Sequence, residues 1–551
     1  MSKFRLIFAI FFFFFVAVLM KLFHLQVVSP RVSSNYLKYK KIYPERGKVF
    51  DRNHQPLALN QTTYLLYVEP KKIKDTHDAI KVIDKELNLG EATIEALLDK
   101  NKEWVAIRSG IVREQKKRLE AEKVAGLGFQ PTPQRYYPES SLAAHLLGFV
   151  GKNRDGEDTG YFGIEGYYDK DLYGLPGILK SERDTSGRPI LIGTQEKTES
   201  ENGRDLILTI DKSVQNIVKR ELLAGIERYK AREGCAIVAD PMTLELTALV
   251  CLPDFDPDKY YKSSEEFFAN PAINLAYEPG STFKPLIMAA ALNEKKLKPG
   301  DLYNETGPVE KSGYRIKTWN DKYEGKITMT RILEKSSNVG MVYVGDKLGR
   351  DNLYEYLERY GFDQKTGIDL QGEFAPRLRS RHEWRDIDFA TAAFGQGIAV
   401  TPMQMITAFA SIINGGELMQ PHAVGVISYQ GLENTIKKRK LRSTISKKTS
   451  DMIKKMLVST VEHGEYKWAA PAGYKIGGKT GTAQIAVQGK YDPSKFIASF
   501  IGFAPASTPK FLALVVLKEP KTSIYGSETA APLFFEIARE LLVYYNIAPE
   551  Q

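Results

Sequence analysis

The chain has 551 residues, with 77 Lys and Arg against 67 Asp and Glu, a net charge of +10 and a pI near 9.0. With 43% hydrophobic and 26% charged residues it has the composition of an ordinary globular protein and length for two or three domains. The basic excess suits an anionic membrane surface or an acidic polymer and is too diffuse for nucleic acid; the one dense run, Lys437 to Arg442, reads as a solvated strand or loop face.

Fifteen consecutive apolar residues run from Leu6 to Met20, and Leu22 and Phe23 extend them past Lys21. With Lys21 snorkelling, residues 6–23 approach the ~20 needed to cross a bilayer. Lys3 and Arg5 precede the stretch, so residues 1–5 are expected in the cytoplasm and the chain after Phe23 outside it. No A-x-A-like site follows, which favours a retained single-pass anchor over a cleaved signal peptide. Residues 24–210 read as an extracytoplasmic, loop-rich pedestal of mixed structure. Short strands are expected around "YPERGKVFDRNHQPLALNQTTYLLYVEP", small exposed helices from Thr76 to Glu122, and Gly-, Pro- and Tyr-rich strands and loops from Gln130 to Ile210.

Residues 211–551 read as the larger domain, a conventional α/β core. "EGCAIVADPMTLELTALVCLPDF" predicts two strands joined by a turn and carries both cysteines, Cys235 and Cys251. Neither has C-x-x-C or zinc spacing and both sit in apolar runs, so two buried free thiols is the default expectation. A disulfide is the alternative in an oxidising compartment. A buried helix follows Ser281, and "ATAAFGQGIAVTPMQMITAFASIINGG" predicts another long apolar helix. "FIASFIGFAPASTPKFLALVVLKEP" reads as a hairpin, and "TAAPLFFEIARELLVYY" as a C-terminal amphipathic helix.

Three short motifs in this domain carry the chemistry. In "EPGSTFKPLIMAAAL", Ser281 and Lys284 lie one helical turn apart at the mouth of an apolar helix. There the Ser281 N–H and the helix dipole would stabilise an oxyanion, and a desolvated Lys284 would take the hydroxyl proton. Alone, S-x-x-K more often marks an N-cap serine with an exposed lysine. "EKSSNVGMVYVG" supplies Ser336-Ser337-Asn338, by itself most often a turn or cap. "GGKTGTAQIAV" supplies Lys479, Thr480, Gly481 and Thr482 opening a strand. Lys479 brings positive charge, two hydroxyls suit a carboxylate, and Gly481 would let a substrate approach the strand edge.

S-x-x-K, S-D-N and K-T-G together mark penicillin-binding proteins and class A β-lactamases; here the order is kept, with Ser337 in place of Asp. The chain resembles a class B, monofunctional penicillin-binding protein, a D,D-transpeptidase of the cell-division type, over nearly its whole length. The likeness runs through "ERGKVFDRN" (with His54 following where the family usually has Gly), "RYYPESSLAAHLLGFVG", "GIEGYYD", "YEPGSTFKP", "SSNVG", "FGQGIAVTPMQM" and "GGKTGTAQ". "SSNVG" with "KTGTAQ" is nearer the septal branch than the elongation branch, and no stretch suggests a glycosyltransferase domain.

The resemblance implies an α/β fold class: one transmembrane helix, a mixed pedestal serving dimerisation or partners, and a penicillin-binding domain with an antiparallel sheet flanked by helices. It implies that Ser281 attacks the D-Ala-D-Ala end of a stem peptide to form an acyl-enzyme. Lys284 would be its base, and Ser336 would pass a proton to the leaving D-alanine. Asn338 would bind substrate and orient Lys284. Lys479, Thr480, Gly481 and Thr482 would form the substrate-binding edge, with the Ser281 and Thr482 N–H groups as oxyanion hole. β-Lactams would acylate the same serine. A membrane-embedded glycan polymerase and other division proteins are the implied partners, and no cofactor is implied.

Rival readings are weaker. "GYKIGGKT" fits the Walker A string, but no buried strand precedes it and a strand rather than a helix follows. "RHEWRD" lacks the second His of H-E-x-x-H, and no G-x-S-x-G surrounds a serine. His382, His422 and His463 are isolated and expected to be satisfied surface residues. An elongation-type enzyme or a β-lactam-sensing or hydrolysing relative would share the acylation chemistry; a catalytically idle division scaffold would not need the motif set.

Overall fold

The structure, a computed structural model, describes residues 2–28, 37–99, 101–182, 195–487 and 490–549. It divides into two compact units, Met1–Glu45 with Gly174–Asn202 and Arg46–Tyr173 with Gly203–Gln551. In the first, a helix spans Ser2–Phe23 and continues as a π turn over His24–Val28. At 1.5 Å per residue its 22 residues reach about 33 Å, enough for the ~30 Å of bilayer hydrocarbon. Its phenylalanines face outward all round, as a lipid-facing helix requires. The same unit holds a three-stranded antiparallel sheet with Gly177–Glu182 between Leu37–Ile42 and Gln195–Thr198.

In the second unit the long strand Pro56–Val68 pairs with Val49–Phe50, Val105–Ile111 and Leu127–Tyr136. Asp205–Leu208 and Val424–Tyr429 extend this sheet, so strands from both sides of residue 210 share it. Helices Thr76–Leu87, Glu91–Leu97 and Arg113–Ala121 fall where helices are expected, but Val105–Ile111 between them is a strand. Only its end residues, Val105 and Ile111, are buried, so its sequence lacks the apolar alternation that announces a strand. The turn after Phe50 puts His54 at φ +59°, while the Asp51 carboxylate accepts from Asn53 N and Gln55 N at 2.8 and 2.7 Å. Left-handed backbone there accounts for glycine as the residue expected. His54→Gly should raise stability by about 0.5–1 kcal/mol in denaturant unfolding, with activity unchanged.

The core of the unit is a five-stranded antiparallel sheet in the order Leu246–Leu252, Glu233–Ala239, Phe511–Lys518, Lys490–Ala504, Gly477–Val487. Alternation sorts its two faces. Ala236, Val238, Val515 and Leu517 pack under helices Lys212–Tyr229 and Ala530–Tyr544. Ile237, Leu514, Val516 and Ile501 point to the opposite face, where helix Pro402–Ile413 packs on the sheet and in turn touches helix Lys284–Asn293, whose side chains from Lys284 to Leu292 are all buried. Gly477–Val487 lies at one edge of the sheet and Leu246–Leu252 at the other.

Three expectations change. Cys235 and Cys251 are not free thiols but form a disulfide, because they stand directly opposite each other on adjacent strands with Cα atoms 4.0 Å apart. The stretch from Ala390 to Gly416 does not contain one long helix: helices Asp386–Ala392 and Pro402–Ile413 are separated by a loop. Gly395 and Gly397 adopt φ of +83° and +70° there. Thr401 and Gln404 form a capping box that starts the second helix with Pro402 at its first turn. His422 is buried at 7% exposure rather than a surface residue, since its backbone joins the sheet by bonds with Leu244 and Leu246.

Candidate active site

Ser281 lies in a single 3-10 turn, Gly280–Phe283, and the α-helix begins at Lys284. The turn is held from three sides. Gly280, at φ +56°, donates to Gly395 O at 3.0 Å; Tyr277 and Val400 exchange backbone bonds of 2.9 Å; and the Thr282 hydroxyl donates to Pro279 O at 2.7 Å. The loop that interrupts the expected long helix therefore buttresses the serine turn. Ser281 is half-buried, while Lys284 one turn below is 0% exposed.

The Lys284 amine reaches Ser336 O at 2.6 Å, Asn338 Oδ1 at 2.8 Å and Ser336 Oγ at 3.2 Å. Burial pushes its pKa well below the ordinary lysine value, the positive Lys479 pushes it the same way, and the carboxylate of Glu305 opposes them. A buried neutral amine has two N–H groups and one lone pair. Two N–H bonds to the nearer oxygens leave that lone pair for a hydroxyl. Ser336 sits at φ +56° between helices Met329–Glu334 and Asn338–Leu348. Ser337 caps the second of these, its Oγ accepting from Gly340 N at 2.8 Å.

Lys479, Thr480, Gly481 and Thr482 lie on the edge strand, paired with Ile501, Phe500, Ser499 and Ala498. Lys479 is buried, and burial lowers its pKa to about 7 against the pull of Glu465. Its ammonium donates to Thr480 Oγ1 and Thr480 O at 3.2 and 3.3 Å. Thr482 Oγ1 accepts from Gly526 N at 3.0 Å and keeps its own proton to donate. A Cβ on Gly481 would stand 2.4 Å from Ser499 Oγ and 2.8 Å from Pro279 O. The missing side chain thus makes room for the protein's own serine turn. Gly481→Ala is expected to lower penicillin acylation at least tenfold and to cost about 1–3 kcal/mol of stability by thermal melt.

Ser281, Ser336, Asn338, Lys479, Thr480 and Thr482 line one cavity of about 360 Å³. Lys284 lies beneath it and Gly481 behind it. The cavity also takes in Trp319, Tyr525, Gln396, Glu334 and Glu465, none of which sequence reasoning singled out. Trp319 and Tyr525, from loops some two hundred residues apart, meet edge to face with ring centroids 5.5 Å apart. No spacing rule connects such residues; their only signal is an aromatic residue in a polar loop. The Walker A string is accounted for by the edge strand, since Gly477–Val487 enters no helix.

A Ser-x-x-Lys turn seated against an edge strand bearing Lys-Thr-Gly, with a Ser-x-Asn turn closing the third side, is the arrangement of motifs shared by penicillin-binding proteins and class A β-lactamases. The model of the penicillin binding protein transpeptidase domain matches residues 234–539, and that of the penicillin-binding protein dimerisation domain matches residues 41–208. The chain belongs to the class B penicillin-binding protein family. Stage V sporulation protein D of Bacillus subtilis (strain 168) is 34% identical to it over 517 residues, covering 92% of this chain and 79% of that protein. Peptidoglycan D,D-transpeptidase FtsI of Escherichia coli (strain K12) is 29% identical over 540 residues, covering 96% and 89%. A peptidoglycan synthetase from Bifidobacterium adolescentis ATCC 15703 has a similar structure, with a TM-score of 0.76 at 26% identity over 94% of this chain and 98% of that one.

Proposed function

We propose that this chain is a peptidoglycan D,D-transpeptidase that cross-links stem peptides through an acyl-enzyme on Ser281. The observation that carries the reading is the sealed Lys284 amine, bonded to Ser336 and Asn338 directly under the serine turn. Lys284 takes the Ser281 hydroxyl proton as Oγ bonds to the penultimate D-Ala carbonyl carbon. The oxyanion meets the N–H groups of Ser281 and Thr482. Ser336 relays the proton from Lys284 to the departing nitrogen, the C–N bond breaks and D-alanine leaves. An amine of a second stem peptide then attacks the ester, its proton returns by the same route, and Ser281 Oγ is released. Lys479, Thr480 and Thr482 hold the terminal carboxylate. A β-lactam enters the same steps, but its leaving nitrogen stays tethered and blocks the acceptor.

The anchor and Lys3 and Arg5 support a single pass with the catalytic domain outside the cytoplasmic membrane. The anchor helix and the pedestal of residues 24–210 are the surfaces offered to a glycan polymerase and other division proteins. Release of D-alanine from glycan strands bearing pentapeptides, lost in Ser281→Ala, tests the activity; no release by the wild type in the presence of an acceptor amine would sink it. Septal synthesis is the role favoured by the motifs. The 34% identity to a sporulation protein supports a second reading, synthesis of a spore wall. Depletion separates them: filamentous growth supports the first, normal growth with defective spores the second.

A further inference from the structure

Glu305 closes the short strand Leu302–Glu305, which pairs with Gly325–Thr328. Its side chain is 0% exposed, where an unpaired carboxylate would be strongly disfavoured. Three donors satisfy it: Lys335 Nζ at 2.6 Å, the Ser337 hydroxyl, and Glu324 N at 3.4 Å. Two of them flank Ser336 in the chain. Ser336 is therefore pinned on both sides by one carboxylate, in a left-handed backbone conformation, φ +56°, that disfavours a non-glycine residue. The same pinning sets Asn338, because Ser337 is the cap of the helix that Asn338 begins.

We propose that Glu305 is a positioning residue for acyl transfer. Through Lys335 and Ser337 it holds Ser336 and Asn338 against Lys284, and its negative charge balances the lysines gathered at the cleft. The inference rests on Lys284 acting as the base for Ser281. Glu305 touches no reacting atom; it acts through the segment it grips.

The charges around this group set the sign of the expected effect. Two charged groups act on Lys284, the positive Lys479 of the edge strand and the negative Glu305 of strand Leu302–Glu305. Glu305 faces Lys335, which also lies 3.7 Å from Glu324, and it acts on Tyr303 of its own strand. A negative Glu305 favours the ammonium form of Lys284, against burial and Lys479. Neutralising it also leaves Lys335 unbalanced, and both changes favour the amine. Acylation needs the amine, so its rise with pH must move to lower pH.

The test is the acylation rate of the full-length protein in detergent micelles by benzylpenicillin across a pH series, read by intact mass. In Glu305→Gln the acid limb should move down by about half a pH unit or more, and the plateau should fall about tenfold. Ser337→Ala keeps the charge and loses the grip, so its plateau should fall with the limb in place. Should Glu305→Gln fail to fold by thermal melt, Lys335→Met reads the same charge from the other side, and its limb should move up. A limb unmoved in whichever of these charge variants folds, or a Ser337→Ala plateau within twofold of wild type, would overturn the proposal. Adduct formation on Ser281→Ala would instead overturn the acyl-enzyme reading beneath it, and the proposal with it.

Discussion

Benzylpenicillin is expected to add one molecule to the full-length chain and none to Ser281→Ala, and the same spectra should show Lys284→Met acylated at least about 10³-fold more slowly. A serine hydroxyl holds its proton at neutral pH, so a half-buried Ser281 without a base is inert. The base is available because burial and a second lysine push the Lys284 pKa well below the ordinary lysine value, which favours the amine over the ammonium. Lys284→Arg should fail as badly as Lys284→Met, since a guanidinium keeps its charge. A lasting adduct supports a transpeptidase. An adduct that clears while penicillin is consumed would move the reading to a hydrolase. No adduct on the wild type would leave an idle scaffold.

The second large effect concerns Lys479 and pH. Burial lowers Lys479 to about 7, while Lys284 is pushed well below its ordinary value by burial and by Lys479 itself. Carboxylate recognition needs Lys479 protonated, and proton abstraction needs Lys284 neutral. The second-order acylation rate should therefore rise with pH as Lys284 loses its proton and fall above about 7 as Lys479 loses its own. Lys479→Arg should remove the alkaline fall, because its charge does not titrate. Lys479→Ala should lower the rate roughly 10²-fold at neutral pH. The methyl ester of benzylpenicillin, which lacks the carboxylate, should show little of that loss. An alkaline limb that survives Lys479→Arg unchanged would assign it to another group.

Much of the candidate site was legible because the residues that line its cavity come in short runs. Ser281 and Lys284 share one turn, Ser336 and Asn338 another, and Lys479 to Thr482 one strand, so each piece carries its own signal. Glu305, Trp319 and Tyr525 had none, since their partners lie far away in the chain. The fold was legible where an apolar run or a periodic pattern was strong: the N-terminal apolar helix, the paired strands around Cys235 and Cys251, the terminal hairpin and the last helix. It was not where only the ends of an element are buried, as at Val105–Ile111.

The sequence by itself determined the N-terminal apolar helix, the order of the three motifs and the apolar helix that follows Ser281. Composition and spacing are local properties, and they survive without a structure. Only the tertiary structure decided that Lys284 bonds to Ser336 and Asn338, that the loop at Gly395 props the serine turn, that the two cysteines meet, and that Glu305 grips Lys335 and Ser337 on either side of Ser336. Those are matters of burial and long-range contact. A lysine becomes a base, and a carboxylate an anchor, only once the packing around it has removed the water.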